Sequence, residues 1–232
     1  MKTIAIILAG GSGQRFETKT PKQFIKINKK MIIEYTLNTF QNSSCIDEII
    51  VVTPNEFIGK ITKLQSTYPK ITKIVLGGAT RKESCKNAAQ RIDDKEAKIL
   101  IHNGVQPCLA PQVIQSCVKK LDECDCLSVG VPSVYTIMKL NKEHLVEEIC
   151  TRDLSYIDLG PECFKLSLLR KILHTADNQK GSEYTNFTAF VKANNLSNVS
   201  MIESNRENIK LTHPEDLTLI RYYLKHMQSR KK

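Results

Sequence analysis

Two fixed cations stand close behind a glycine run near the start of the chain. The run is Leu8-Ala9-Gly10-Gly11-Ser12-Gly13-Gln14-Arg15-Phe16, and Thr20-Pro21-Lys22-Gln23-Phe24 follows. Glycines after an apolar segment let backbone N–H groups approach phosphate oxygens without Cβ clashes. No Gly-Lys-Ser/Thr closes the loop, so it is not the common mononucleotide-binding loop. The third glycine of a dinucleotide fingerprint is also missing. Arg15 and Lys22, seven residues apart, follow instead. Such a pair suits a triphosphate whose α-phosphate is attacked while pyrophosphate leaves, because cations in place offset the charge that builds on its oxygens.

Alternating elements must hold that loop. Ile4–Leu8, Glu48–Thr53, Ile71–Leu76, Lys98–His102, Cys126–Val131 and Val199–Ile202 read as strands. Helical periodicity occupies Ile32–Phe40, Phe57–Thr67, Arg81–Ile92, Pro111–Leu121, Pro161 to about Ala176, and Asn186–Ala193. Pro214-Glu215-Asp216-Leu217 opens a last helix, with acids in its first turn. Apolar strands separated by helices predict an α/β domain with a mostly parallel sheet of right-handed βαβ units. Ligands of such sheets bind at the carboxyl ends of the strands. Chemistry is therefore expected in the loops 10–22, 77–84, 103–107 and 132–139. The segment at about 133–156 breaks the alternation. Tyr135–Leu140 and Leu145–Cys150 read as two strands around Asn141-Lys142, an arm inserted in one domain that covers residues 1–232.

Composition narrows the classes further. Hydrophobic residues are 41% and charged residues 25%, as in an ordinary globular protein. No apolar run approaches the roughly 18 residues of a membrane span. The opening Ile4–Ala9 is short and runs into glycine and charge, so it reads as a buried strand rather than a signal peptide. Eight cysteines are scattered without a CxxC pair, and Cys85 and Cys117 fall in helical patterns as small core residues. Reduced thiols and a cytoplasmic location are the expectation. The formal net charge is +10, which fits an anionic partner or a lysine-rich solvated surface. Nucleic-acid binding is not expected, since aromatics are 6% and scattered.

Together these segments resemble the polyol-phosphate cytidylyltransferases, which include the methylerythritol-phosphate enzymes of isoprenoid synthesis and the ribitol-phosphate enzymes of cell-surface polysaccharide synthesis. The glycine loop with Pro21-Lys22-Gln23-Phe24 carries the likeness. So do Gly77-Gly78-Ala79-Thr80-Arg81-Lys82-Glu83-Ser84, His102-Asn103-Gly104-Val105-Gln106-Pro107, Gly130-Val131-Pro132 with Thr136, and Asn208–Leu217. The resemblance implies a Rossmann-like, three-layer nucleotidyltransferase fold. It implies transfer of a cytidylyl group from CTP to a small polyol phosphate, with magnesium held mainly by the triphosphate and no metal ligand assigned to the protein. Ala9, Gly10, Gly11, Gly78, Ser84 and Gly104 would hold the nucleotide. Arg15, Lys22 and Lys210 would be the catalytic cations. Asn103, Arg152 and Thr185 would bind the acceptor, with the arm exchanged across a homodimer so that Arg152 serves the neighbouring site.

The chain also departs from that pattern. Asn103 stands in the place of an Asp that orients polyol hydroxyls near the metal, and Gln106 in the place of an Arg. Tyr135 replaces an Asp and Met138 a Lys, Gly160-Pro161-Glu162 replaces Thr-Pro-Gln, and Thr185-Asn186-Phe187 replaces Thr-Asp-Glu. The phosphate-binding cations persist while the acids around the polyol do not. A changed acceptor, an ordinary enzyme with tolerated drift, and a weak or inactive nucleotide-binding relative all fit this pattern. His102 ends a strand beside the site and reads as a structural, hydrogen-bonded histidine. Ser84 has no paired base for nucleophilic catalysis, and the remaining histidines lack metal-ligand spacing.

Overall fold

The computed structural model describes residues 1–10, 20–178 and 186–229. At its centre lies the first strand, β1 (Lys2–Leu8). A small hairpin of β2 (Lys26–Ile27) and β3 (Lys30–Met31) precedes α1 (Ile32–Gln41). Then come β4 (Glu48–Thr53), a short α2 (Ile58–Thr62), β5 (Ile71–Leu76), α3 (Arg81–Ala89), β6 (Ala97–Asn103), α4 (Pro111–Lys120) and β7 (Cys126–Pro132). The arm holds β8 (Met138–Leu140) and β9 (Val146–Ile149). The chain closes with β10 (Tyr156–Asp158), β11 (Glu162–Lys165), α5 (Leu166–Asn178), α6 (Phe187–Ala193), β12 (Ser200–Glu203) and α7 (Asp216–Ser229).

The main sheet has eight strands in the order β10-β7-β11-β6-β1-β4-β5, with β12 also paired to β7. β1 runs parallel to β4 and β6, β4 to β5, and β12 to β7. β10 and β11 are antiparallel to their neighbours. Alternation along the strands explains the three layers. Ile4, Ile6, Ile50, Val52, Ile99 and Ile101 face α3, α5 and α6. Ala5, Ile7, Ile49, Val51 and Leu100 face α1, α2 and α4. Because both faces are covered, the central strands read as unbroken apolar runs.

The expected α/β architecture is present, with three differences of detail. Residues 161–165 were read as the start of a helix, but Glu162–Lys165 form β11, an antiparallel strand between β6 and β7. Four residues buried between two strands show no period-2 alternation, and the amphipathic pattern of α5 runs straight on from them. The helix expected at Phe57–Thr67 shrinks to a 3-10 turn and the five residues of α2, with hydrogen-bonded turns up to Tyr68. Tyr156–Asp158, at the end of the expected arm, joins the main sheet as β10. The inserted hairpin itself is present, paired only with itself, and every residue of β8 and β9 is exposed.

Phe40 closes the second core layer on α1, fully buried, with its ring 5.5 Å from that of His102. Phe40→Ala is expected to lower unfolding free energy by about 3–5 kcal/mol, read from urea denaturation. A loss under about 1 kcal/mol would contradict this packing.

Candidate active site

A cavity of about 420 Å³ opens at the carboxyl ends of β1, β4 and β6. Ala9 and Gly10 line it from the loop after β1, Lys22 and Gln23 from the following turn, Gly78 to Arg81 and Ser84 from the start of α3, Asn103 and Val105 from the end of β6, and Lys210 from the loop before α7. None of the described lining residues is a carboxylate. The cavity thus carries cationic and neutral side chains at the edge where such sheets bind ligands.

The backbone at the end of β1 is strapped on both sides. Ala9 N–H donates to Val52 O at 2.8 Å, and Gly104 N–H donates to Leu8 O at 2.8 Å. The buried Gln23 amide donates from Nε2 to Ala9 O at 2.7 Å. That bond ties the 3-10 turn Lys22–Phe24 to β1 and so sets where the Lys22 side chain leaves the chain. Gly10 has no described atom within 4 Å of the place a Cβ would take, so the space on that side of it is open.

The α3 loop is equally determined. Thr80 caps the helix by accepting from Glu83 N–H at 3.1 Å, and the Glu83 carboxylate accepts from Ala79 N–H at 2.7 Å. Gly78 N–H donates to Ser84 Oγ at 3.1 Å. A side chain at Gly78 would collide with Cβ of Glu83, which is why the capped turn requires glycine. Arg81 pairs with the buried Glu162 and lies over the Phe187 ring at 5.2 Å. Glu162 also accepts from Phe187 N–H at 2.6 Å, at the start of α6. One carboxylate thus joins the cavity wall to α6. Its Arg81 partner keeps Nη1 buried without a hydrogen bond.

Behind Asn103 lies a buried polar network. Asn103 Nδ2 donates to Gln106 Oε1 at 2.5 Å. Gln106 Nε2 donates to Leu159 O at 2.7 Å and to Asn208 O at 3.2 Å. Leu211 N–H donates to Val105 O at 2.9 Å, which lays the segment bearing Lys210 along this turn. Asp216 fixes its far end by accepting from Thr212 and His213 N–H, both at 2.7 Å. His102, 1% exposed, hydrogen-bonds through Nε2 to Gln106 O at 3.0 Å. Since the carbonyl can only accept, Nε2 carries the hydrogen. Burial lowers the His102 pKa to about 4, against a smaller opposing effect of that bond. The imidazole is a neutral strut, as the sequence reading expects.

The structure therefore gathers Ala9, Gly10, Gly78, Ser84, Lys22, Asn103 and Lys210 around one cavity. Gly104 is not among them. It packs behind the wall, with its carbonyl accepting from Thr36 Oγ1 at 3.3 Å and with the place of a Cβ only 3.2 Å from Leu8 O, a tight contact. Arg152 sits on an exposed 3-10 turn of the arm and does not line the cavity of its own chain. Gly11, Arg15 and Thr185 lie outside the described residues. Sequence reasoning passed over Arg81, Thr80 and Gln23 as site residues. The arginine beside Gly77-Gly78 was the available signal for the first.

The family model described as 2-C-methyl-D-erythritol 4-phosphate cytidylyltransferase matches residues 3–226. The chain belongs to this cytidylyltransferase family. A relative in Haemophilus influenzae, the bifunctional ribulose 5-phosphate reductase/CDP-ribitol pyrophosphorylase Bcs1, is 36% identical over 222 residues. That match takes in 93% of this chain and 47% of the relative, so the chain spans about half of that bifunctional protein. The 2-C-methyl-D-erythritol 4-phosphate cytidylyltransferase of Clostridium perfringens strain SM101 is 34% identical across 97% of this chain and 99% of its own length. In fold, the chain matches the crystal structure of 4-diphosphocytidyl-2C-methyl-D-erythritol synthase from Anaerococcus prevotii with a TM-score of 0.86 at 24% identity, covering 97% and 96% of the two chains. The cavity of this cytidylyltransferase is built from the segments whose motifs carry the family likeness.

The sign of the His102 shift sets a pH dependence. Below an ordinary histidine pKa of about 6.5 the unfolded chain takes up a proton that the folded chain refuses until about pH 4. This residue's contribution to stability is therefore neutral above about pH 6.5 and falls as the pH drops toward 4. An NMR titration of the folded protein is expected to give His102 no midpoint above about pH 5. A midpoint near 6.5 would mean that the ring is not buried as described.

Proposed function

We propose that this chain transfers a cytidylyl group from CTP to a small polyol phosphate, methylerythritol phosphate or ribitol phosphate, and releases pyrophosphate. The single observation that supports it best is a cavity with no carboxylate among its described lining residues, in which the Ala9-Gly10 backbone meets Lys22 and Lys210 brought in from distant segments. A phosphate oxygen of the acceptor attacks the α-phosphorus, a new P–O bond forms, and the bond to the β-phosphate oxygen breaks in line. The chain's own contribution is positioning and charge stabilisation. Lys22 faces the phosphates from beside the glycine loop, with Arg15 of that loop as its partner. Lys210, on the opposite wall, suits the acceptor phosphate.

Magnesium fits this donor set only through its substrate. Among the described residues no cluster of three or more His, Cys, Asp or Glu side chains can hold a metal ion. The cavity itself offers the neutral oxygens of Asn103, Thr80 and Ser84. A cation that keeps its waters and takes phosphate oxygens as ligands suits such a wall. When bound, it would offset the charge of the triphosphate.

The reading extends to a homodimer formed through the arm. Val134, Tyr135, Met138, Leu145, Ile149 and Leu154 are all exposed, Leu154 to 82%, and a second copy is the occupant proposed for this apolar surface. Arg152 of one chain would then reach the acceptor phosphate in the other. No helix among the described residues is long and apolar enough to cross a membrane, and both substrates are water-soluble, so a cytoplasmic setting is proposed.

Purified protein with CTP, magnesium and a panel of polyol phosphates should release pyrophosphate. Lys22→Ala should lower kcat by about 10²–10³-fold while leaving the melting temperature within a few degrees. Unchanged kcat in that variant would remove Lys22 from the chemistry, and no pyrophosphate with any acceptor would sink the proposal. Light scattering should give twice the chain mass, and Leu154→Glu should shift it toward one chain. Monomeric wild-type protein at micromolar concentration would refute the arm interface.

A further inference from the structure

Within the stretch His102–Pro107 the chain departs from the family pattern at two positions, and their side chains touch. Gln106 is 3% exposed and stands behind the cavity wall. Its two Nε2 hydrogens are directed to two backbone carbonyls, Leu159 O and Asn208 O. Turning the amide over would set its oxygen against both carbonyls, so the orientation of Gln106 is determined and Oε1 must face Asn103. Asn103 then has one choice. Its Nδ2 donates to that oxygen at 2.5 Å, which leaves Oδ1 as the free end of a side chain on the cavity wall. The order runs outward from the fold to the site: two buried carbonyls orient Gln106, and Gln106 orients Asn103.

We infer that Gln106 is a positioning residue, which locks the Asn103 amide so that the cavity meets a neutral oxygen acceptor, and that the two amides work only as a pair. The group this oxygen would read is a hydroxyl of a bound substrate, from the polyol acceptor or from the ribose of the nucleotide. That part rests on the activity proposed above. An Asp at position 103 would place a carboxylate oxygen against Gln106 Oε1, two acceptors with no hydrogen between them, and Gln106 cannot turn to relieve it. An Arg at position 106 would bring a charge to a buried place where only neutral oxygens face it. Each change alone leaves an unmet group in the interior, whereas both together supply a donor for the carboxylate and a charge for the cation. The two departures are therefore coupled through one contact, Asn103 Nδ2 to Gln106 Oε1.

The test compares wild type, Asn103→Asp, Gln106→Arg, the double variant and Asn103→Ala, with CTP and ribitol 5-phosphate or methylerythritol 4-phosphate, whichever the wild type uses. Each charged single variant should lose about 10- to 100-fold in kcat/KM, and the double should return to within a few-fold of wild type. Asn103→Ala sets no like group against Gln106 Oε1 but removes its donor, so it should lower the melting temperature less than Asn103→Asp does, and it should raise KM with kcat little changed. A rise in KM for the acceptor assigns the hydroxyl to the polyol, and a rise for CTP assigns it to the ribose. Full activity of Asn103→Asp alone, a double variant that loses the product of both single losses, or an Asn103→Ala variant with unchanged KM for both substrates would each overturn the inference. If wild type turns over no acceptor, the activity proposal fails by itself and the pair is judged from melting temperatures. Recovery in the double variant supports the interlock, and additive losses refute it.

Discussion

The site depends on how the backbone ends at β1. A triphosphate needs unpaired N–H groups pointing at it, and a chain inside a sheet has none to spare. Here the ladder closes at its last rung on each side, Ala9 to Val52 and Gly104 to Leu8, and the next residue, Gly10, faces open space. The step from a strapped backbone to open space beside the chain occurs within two residues. It is sharp because β1 lies centrally, between two parallel neighbours that end at the same level. An edge strand would fray at such a point, whereas a central one delivers its loop at a defined height above the core.

Much of this was legible in the sequence because buried parallel strands announce themselves. Ile49-Ile50-Val51-Val52 and Ile99-Leu100-Ile101 are apolar, short and soon followed by turn residues, so their order along the chain carries the topology. What escaped was whatever depends on two elements meeting. β11 has four residues and no alternation, since β6 and β7 flank it, and only its pairing marks it as a strand. Asn103 and Gln106 were visible as separate departures, three residues apart, and nothing in their spacing says that one amide donates to the other. Arg81 was visible beside Gly77-Gly78, yet its role depends on Glu162, 81 residues away. Gly104 was assigned to the nucleotide by its place in a motif. The structure adds a backbone reason for glycine there, since a Cβ would press to 3.2 Å from Leu8 O.

Charge placement around the cavity has a consistent logic. Carboxylates close to it point elsewhere: Glu83 to a backbone N–H of its own helix cap, Glu162 to Arg81 and to the start of α6, Asp216 to the turn before α7. Each holds a wall segment in place while keeping its negative charge on a donor already present. Among the described residues the cavity wall is cationic or neutral although the chain has 24 acidic residues. The net charge of +10 matters for function mainly where Lys22 and Lys210 line the same cavity. Elsewhere it is a solvated surface that attracts anions weakly and is screened by salt.

The neutral pair of Asn103 and Gln106 sets the energetics of this wall of the cavity. Burying an ion pair carries a desolvation penalty of several kcal/mol per ion, which only well-formed hydrogen bonds offset. Two amides carry a much smaller penalty and still satisfy the same carbonyls, Leu159 O and Asn208 O. What is given up is strength toward the ligand, because a neutral oxygen accepts a hydroxyl hydrogen about half as strongly as a charged one. Discrimination among polyols at this position then rests more on where a hydroxyl sits than on how strongly it is held. Binding strength must then come from other parts of the wall, where Lys22 and Lys210 line the same cavity.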